Sequence, residues 1–250
     1  MSQIIRLVVL LLAFITYTNG QTRLVVDNVG YVDWQEEMMR VVATGEPDPG
    51  LTPGEFVQRS RERAGANAVE KIRRLVMSIP LNGDKTLDVL LVKEEFTNYL
   101  NDFSVQGIQY LKDRRGVALD VELTLQKLYE AVSAVRKPRS IRTDSLKKAA
   151  NPLEAIHIDC RGLQLSPALM PRIKDSDGET LFIAGQFGKD WPVKYLKSQE
   201  IVESENTFKA LKPGGMLKAD IVLTAEDAER IKTNLTEQRI NDGVKVYIFL

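Results

Sequence analysis

The chain has very few of the residues that usually reveal a protein's chemistry. It contains one cysteine, Cys160, so no disulfide can form within the chain and its stability must come from packed cores. It contains one histidine, His157, so a zinc site would have to be built mainly from carboxylates, which is atypical. We therefore predict no metal, no cofactor and no catalytic residue set.

The chain also has no excess of either charge. Its 34 basic and 34 acidic residues cancel, and aromatic residues make up only 7% of the sequence. A nucleic-acid-binding surface usually needs a basic stripe with interleaved aromatics. This composition predicts a globular protein that does not bind nucleic acid.

The N-terminus is typical of an export signal. Arg6 precedes the apolar run Leu7–Ile15, and the small residues Thr18 and Gly20 precede a plausible cleavage site before Gln21. The run is shorter than the roughly 20 apolar residues of a membrane span. We expect residues 1–20 to be a signal peptide and the protein to be periplasmic or outer-membrane associated after cleavage near Gln21, with an uncleaved anchor as the alternative.

Residues 21–135 have the pattern of an α+β domain. Three short β-prone runs precede a break at residues 45–50. Thr52, Pro53 and Glu55 then form a helix-start signature, and apolar residues spaced three or four apart predict a long helix from Gly54 to Ser78. A less regular helical pattern covers Leu87 to Asn101.

The clearest periodicity lies between Val117 and Leu125. Apolar and polar residues alternate there, as in a strand with one buried face. Arg114–Gly116 can turn a hairpin back onto the run Val105–Leu111. We therefore predict a long helix packed on an antiparallel sheet, followed by a second, small, β-rich α+β domain.

A basic stretch separates the two predicted domains. Residues 136–151 include Lys137–Arg139 and Lys147–Lys148 and have few large apolar residues, which indicates a linker that could contact anionic cell-wall groups. The second domain covers residues 152–250. Its candidate strands are Ala155–Cys160, Thr180–Ala184, Val193–Leu196, Ala219–Leu223 and Val244–Phe249, with a helix that opens at Thr224.

A catalytic role for His157 is the alternative that names specific residues. His157 and Asp159 are two apart and share a strand face, so the acid could orient the imidazole to act as a base on a serine such as Ser166. No Gly-x-Ser-x-Gly elbow accompanies them, and a histidine on a structural strand is more common.

Three other features favour structural interpretations. The stretch Asp175–Glu179 has the acids of a calcium loop without its spacing, and Asp177–Gly178 is typical of a hairpin turn. Gly65 falls inside the long helix, so it is not part of a phosphate loop, and the small residues around it in Arg63–Ala66 predict close packing. Cys160 alternates with Ile156 and Ile158, which predicts a buried thiol rather than an intermolecular disulfide.

An ordered series of motifs carries a family resemblance. Tyr31–Trp34, then Val41–Gly45 with its Ala-Thr-Gly turn, then the helix segment Arg63–Ala68 are similar to the bacterial lipoprotein-20 family over residues 29–125. Asn67 replaces that family's usual acid. The family includes the flagellar outer-membrane lipoprotein P, and its core looks like the N-terminal domain of flagellar protein T. No cysteine lies near the signal end, so the family's lipid anchor does not carry over.

The second half resembles a segment that accompanies this domain in longer envelope proteins. The resemblance rests on Ile158–Ile173, Asp177–Glu179, Ala219–Leu223 and Ala225–Arg230. It implies an exported, non-catalytic structural and interaction protein of the cell envelope, associated with the flagellar motor or with outer-membrane assembly. Its partners would be envelope or flagellar proteins and further copies of itself. An envelope hydrolase centred on His157 and a cell-wall polysaccharide-binding module remain the alternatives.

Overall fold

The structure is a computed structural model. It describes residues 22–46, 50, 52–111, 116–136, 153–186, 188–197, 206–235 and 243–250. The predicted signal peptide and the basic stretch from Lys137 to Lys148 lie outside the described residues, so both remain predictions.

The first half contains a five-stranded antiparallel sheet in the order β1-β2-β3-β7-β6. A separate two-stranded hairpin, β4–β5, follows the long helix. The strands are β1 (Arg23–Val26), β2 (Gly30–Asp33), β3 (Met38–Gly45), β4 (Pro80–Asn82), β5 (Lys85–Thr86), β6 (Ser104–Tyr110) and β7 (Val117–Thr124). The predicted hairpin of residues 105–111 with the alternating strand is confirmed as β6–β7.

The long helix α1 (Pro53–Ser78) begins where the sequence predicts. Glu55 accepts hydrogen bonds from the Thr52 backbone N–H at 3.0 Å and from the Thr52 hydroxyl at 2.6 Å, so the first turn is capped. Its buried apolar stripe begins with small residues and continues with larger ones, while Val69 is only half-buried. The buried members are Ala64, Ala68, Ile72, Leu75 and Val76.

This helix covers one face of the sheet. Val121 on β7 lies opposite Val41 on β3, and both are buried with α1 packed against their strands. The alternating apolar residues of β7 all point to this side, because side chains along a strand alternate between its faces. The predicted layer of one helix on an antiparallel sheet is confirmed.

The helical pattern at Leu87–Asn101 is not one helix. A short 3-10 helix (Leu87–Leu90) is followed by α2 (Glu94–Tyr99), with a break at Leu91–Lys93. A third helix, α3 (Leu125–Val135), follows β7 directly, and the Thr124 hydroxyl accepts a hydrogen bond from the Lys127 N–H at 3.3 Å.

The second half forms a seven-stranded mixed sheet in the order β10-β9-β13-β12-β8-β14-β11. The Thr224 hydroxyl caps helix α4 by accepting a hydrogen bond from the Asp227 N–H at 3.2 Å. The elements are β8 (Ala155–Asp159), β9 (Arg172–Lys174), β10 (Thr180–Ile183), β11 (Val193–Leu196), β12 (Thr207–Gly214), β13 (Asp220–Leu223), α4 (Ala225–Asn234) and β14 (Lys245–Phe249). The predicted α+β class with two parts is confirmed.

The β4–β5 hairpin of the first half packs against the second half. The Pro80 and Leu81 carbonyls accept hydrogen bonds from the Leu169 and Met170 N–H groups, both at 2.9 Å, and the Gly83 carbonyl accepts one from Leu217 at 2.7 Å. Main-chain pairing therefore joins the two halves.

An aromatic contact joins them at a second place. Trp34 of the first half lies 5.5 Å from Tyr195 and 6.3 Å from Trp191 between ring centroids. All three side chains are buried. The hydrophobic core is consequently continuous across the two halves.

Candidate interaction surface

Three polar side chains of α1 cover the backbone of β3. Arg63 donates to the Glu46 carbonyl at 2.9 Å, Asn67 donates to the Thr44 carbonyl at 2.7 Å, and Lys71 donates to the Val42 carbonyl at 2.7 Å. Four residues of a helix advance about 6.0 Å and two residues of a strand about 6.6 Å. The spacing of these side chains along α1 therefore matches the spacing of the carbonyls along the strand.

The close approach of α1 to β3 explains why small residues occupy the contact between them. A Cβ on Gly45 would lie 2.1 Å from the Ser60 carbonyl oxygen and 2.4 Å from the Ala64 nitrogen. Ala64 and Ala68 are completely buried at the same contact. The residues that carry the resemblance at Val41–Gly45 and Arg63–Ala68 therefore meet, and their arrangement here is a packing arrangement.

Gly65 does not take part in this packing. A Cβ at this position would meet no atom within 4 Å. Of the small residues predicted to permit close packing here, Ala64 does so, since it is completely buried against Gly45, whereas Gly65 does not.

An open groove of about 650 Å³ lies beside the Val42 end of this row. The end of the β1–β2 hairpin and Lys71 line it, with Val25, Val26 and Val29 among its apolar residues and Asp27 and Arg40 among its charged ones. Val42 and Val25 are about half exposed, at 52% and 48%. The groove therefore joins an apolar surface to the covered strand edge.

The residues of the hydrolase alternative have other contacts. The Asp159 carboxylate accepts hydrogen bonds from Arg161 Nε at 2.8 Å and Nη2 at 2.7 Å. These hydrogen bonds hold the pKa of Asp159 below its usual range. Ser166 is buried, and its N–H donates to the Lys218 carbonyl at 2.9 Å.

His157 lies in an aromatic cluster on the second sheet. Its ring meets Tyr247 edge-on at 4.9 Å and Phe249 at 6.1 Å between centroids. Partial burial lowers the pKa of His157, which favours the neutral imidazole. This arrangement packs the ring on the neighbouring strand.

The predicted hairpin turn at Asp177–Gly178 is confirmed, because β9 and β10 pair antiparallel on either side of it. Asp175 accepts hydrogen bonds from the N–H groups of Asp177 and Glu179 at 3.2 and 2.9 Å, and Lys232 lies 3.1 Å from its carboxylate. In the described part of the chain, no group of three or more His, Cys, Asp or Glu residues is placed to hold a metal.

Cys160 is fully buried, as predicted. Burial raises the pKa of its thiol, because a thiolate would lack solvation there. Among the described residues, no helix is both long and apolar enough to cross a membrane.

The sequence pattern did not reveal the role of Asp220, a buried acid with several polar partners. Its carboxylate accepts hydrogen bonds from the Gly83 N–H at 2.7 Å and from Arg172 Nε at 2.8 Å, and Lys174 Nζ lies 3.0 Å away. Arg172 also pairs with Asp84. Asp220 is completely buried, so these charges and the β4–β5 hairpin form one polar junction between the halves.

These features define a two-part α+β protein whose first part has a strand edge covered by side chains of α1 and a groove beside it. Residues 155–250 are similar to a family described as Treponema pallidum Tp0624, second domain. A search of the curated proteins finds no match. The match covers less than half of the chain and leaves out residues 29–125, so the lipoprotein-20 resemblance of the first half gains no support from it.

Proposed function

We propose that this protein is an exported, non-catalytic interaction protein of the bacterial cell envelope. The observation that carries the proposal is the covered edge of β3 beside an open apolar groove, a surface suited to binding another chain. The signal-like N-terminus supports export. A place in flagellar motor or outer-membrane assembly is the finer form of the proposal and rests on the resemblance at residues 29–125.

The contacts of the candidate catalytic residues support a role without catalysis. Asp159 is bonded to Arg161, and His157 packs edge-on against Tyr247. A catalytic dyad needs the acid to orient the imidazole toward a nucleophile. The similarity of residues 155–250 to a domain of a Treponema pallidum protein supports the bacterial setting.

Fractionation of cells that express the full chain tests the proposal. We expect protein that begins at or near Gln21, that is found with the envelope and that a salt wash removes, because contacts with other proteins would retain it. A cytoplasmic marker protein is the control. Protein that retains Met1 and leaves membranes only in strong detergent would contradict cleavage, and cytoplasmic protein would contradict export.

The hydrolase alternative needs a separate measurement. The purified mature protein and its His157→Ala variant are screened against ester, amide and glycoside substrates. We expect equal background rates for both. An activity that His157→Ala abolishes while the variant keeps its melting temperature would overturn the non-catalytic role.

A further inference from the structure

Within the described parts of the chain, half of β3 has a strand neighbour on only one side. Strand β2 pairs with Met38–Val41, whereas β7 pairs along the whole of β3. From Val42 to Glu46, the carbonyls of alternate residues face α1 rather than a strand. In an antiparallel ladder the N–H and C=O of one residue point to the same side, so the N–H groups of Val42 and Thr44 also face this edge.

The side chains on this edge hold the positions that a strand would take. Arg63, Asn67 and Lys71 satisfy the carbonyls, but none of them accepts a hydrogen bond from the strand's N–H groups at these contacts. Arg63 and Asn67 are exposed and Lys71 is half-buried, so water can replace the hydrogen bonds that these side chains lose when a strand displaces them. An added strand would supply both donors and acceptors over about 17 Å, the length of five extended residues.

The charge of Lys71 indicates what kind of strand fits. Lys71 is a cation that donates to the neutral Val42 carbonyl, and once a strand takes that carbonyl the ammonium group would face the incoming chain. An acidic side chain on that chain would pair with it. At the Val42 end, the groove with Val25, Val26 and Val29 offers an apolar site for one larger side chain.

We propose that the edge from Val42 to Glu46 binds an extended acidic segment of a partner protein by β-strand addition. The segment carries an acidic residue toward Lys71 and one apolar residue that enters the groove. This inference rests on the proposed interaction role and names the chemistry of the partner.

Synthetic peptides test the inference on the full mature chain. The probe is a fluorescein-labelled ten-residue peptide of alternating Glu and Val that ends in Phe, measured by fluorescence anisotropy. We expect saturable binding that weakens with salt, since the charges are exposed. The same peptide with alternate backbone amides methylated should lose binding, because it keeps its charges but loses its ladder donors. Equal binding of the methylated peptide would overturn strand addition.

A charge-reversal pair tests the location. Lys71→Glu should weaken binding of the acidic peptide by about tenfold or more, as expected for replacing an attraction with a repulsion. Arg73→Glu changes the net charge equally from an exposed position on the same helix and should have an effect of less than about twofold. A peptide in which Lys replaces Glu should bind Lys71→Glu better than the parent. Equal effects of the two variants would overturn the assignment to this edge.

The peptide-binding result and the fractionation result that tests the proposed function can differ from each other. An envelope-located protein that does not bind the acidic peptide overturns this inference alone. If the mature chain forms oligomers and Lys71→Glu dissociates them, the edge binds a second copy of the chain. That result would overturn the assignment to a separate partner.

Discussion

At the scale of single residues, Gly45 has the tightest surroundings on the sheet. Its missing Cβ leaves room for the backbone of α1, because the atoms that a Cβ would meet are the Ser60 oxygen and the Ala64 nitrogen. Backbone atoms of a packed helix cannot move aside as a side chain can. Glycine at this position is therefore a condition for the close contact of α1 with β3.

Gly45→Ala should lower the free energy of unfolding by about 1–3 kcal/mol, the usual cost of overpacking. Gly107→Ala is the matched control, because its Cβ would lie 3.7 Å from the Asp120 Cβ, an ordinary contact. We expect the control to change stability by less than about 0.5 kcal/mol. Urea unfolding followed by circular dichroism measures both, and equal midpoints would contradict the close packing.

At the scale of elements, the contact between α1 and the sheet supports the first half. Val121 lies in the middle of β7 on the covered face and is completely buried. Val42 lies on the neighbouring strand β3, and 52% of it is exposed. Substitutions at these two valines therefore allow the covered and the open face of one sheet to be compared.

Val121→Asp should cost several kcal/mol, because it buries an unpaired carboxylate, and a domain is typically stable by only about 5–15 kcal/mol. We expect loss of the cooperative thermal transition of the first half. Val42→Asp should retain that transition, since its carboxylate stays in water. A Val121→Asp protein that melts like the unchanged chain would show that the assignment of faces is wrong.

Elements with local signals could be predicted from the sequence. Helix α1 has a cap, a proline and a regular stripe, and β7 alternates strictly, so each is specified by neighbours in sequence. Strand β12 was missed because it contains Pro213 and Gly214 and its register shifts between Ala210 and Lys212. The β4–β5 hairpin was missed because its partners, at Leu169, Met170 and Leu217, are distant in sequence.

The candidate surface could be predicted only in part. The motif at Arg63–Ala68 identified the right stretch of helix, but its bonds to the Thr44 and Glu46 carbonyls depend on the register of α1 over β3. Asp220 looked like an ordinary strand residue, because Gly83 and Arg172 reach it only in the folded chain. Tertiary contacts of this kind leave no periodic pattern.

At the scale of the whole molecule, the ion pair of Asp84 with Arg172 crosses from the first half to the second. The hydrogen bond from Arg172 holds the pKa of Asp84 below its usual value of about 3.9. A carboxyl whose pKa is lower in the folded state stabilises the fold above its unfolded-state pKa. This contribution is lost as the pH falls through the lower, folded-state pKa.

Asp84→Asn should therefore melt at a lower temperature than the unchanged chain at pH 7, and the difference should shrink as the pH falls below about 4. Melting curves between pH 7 and pH 2 measure it. Asp27→Asn, in the exposed turn of another hairpin, is the control for loss of one negative charge. A difference that stays constant down to pH 2 would contradict a role for the ionised carboxylate.

The β4–β5 hairpin also limits how recombination could separate the two halves of such a protein during evolution. Residues 155–250 match a family that is defined as a unit, yet the Gly83 amide of the preceding half is bonded to Asp220 within that unit. A recombination event that moved residues 155–250 alone would leave the Leu169 and Met170 amides without their acceptors. The recipient chain would have to provide a replacement hairpin, so gene shuffling should favour breakpoints upstream of Pro80.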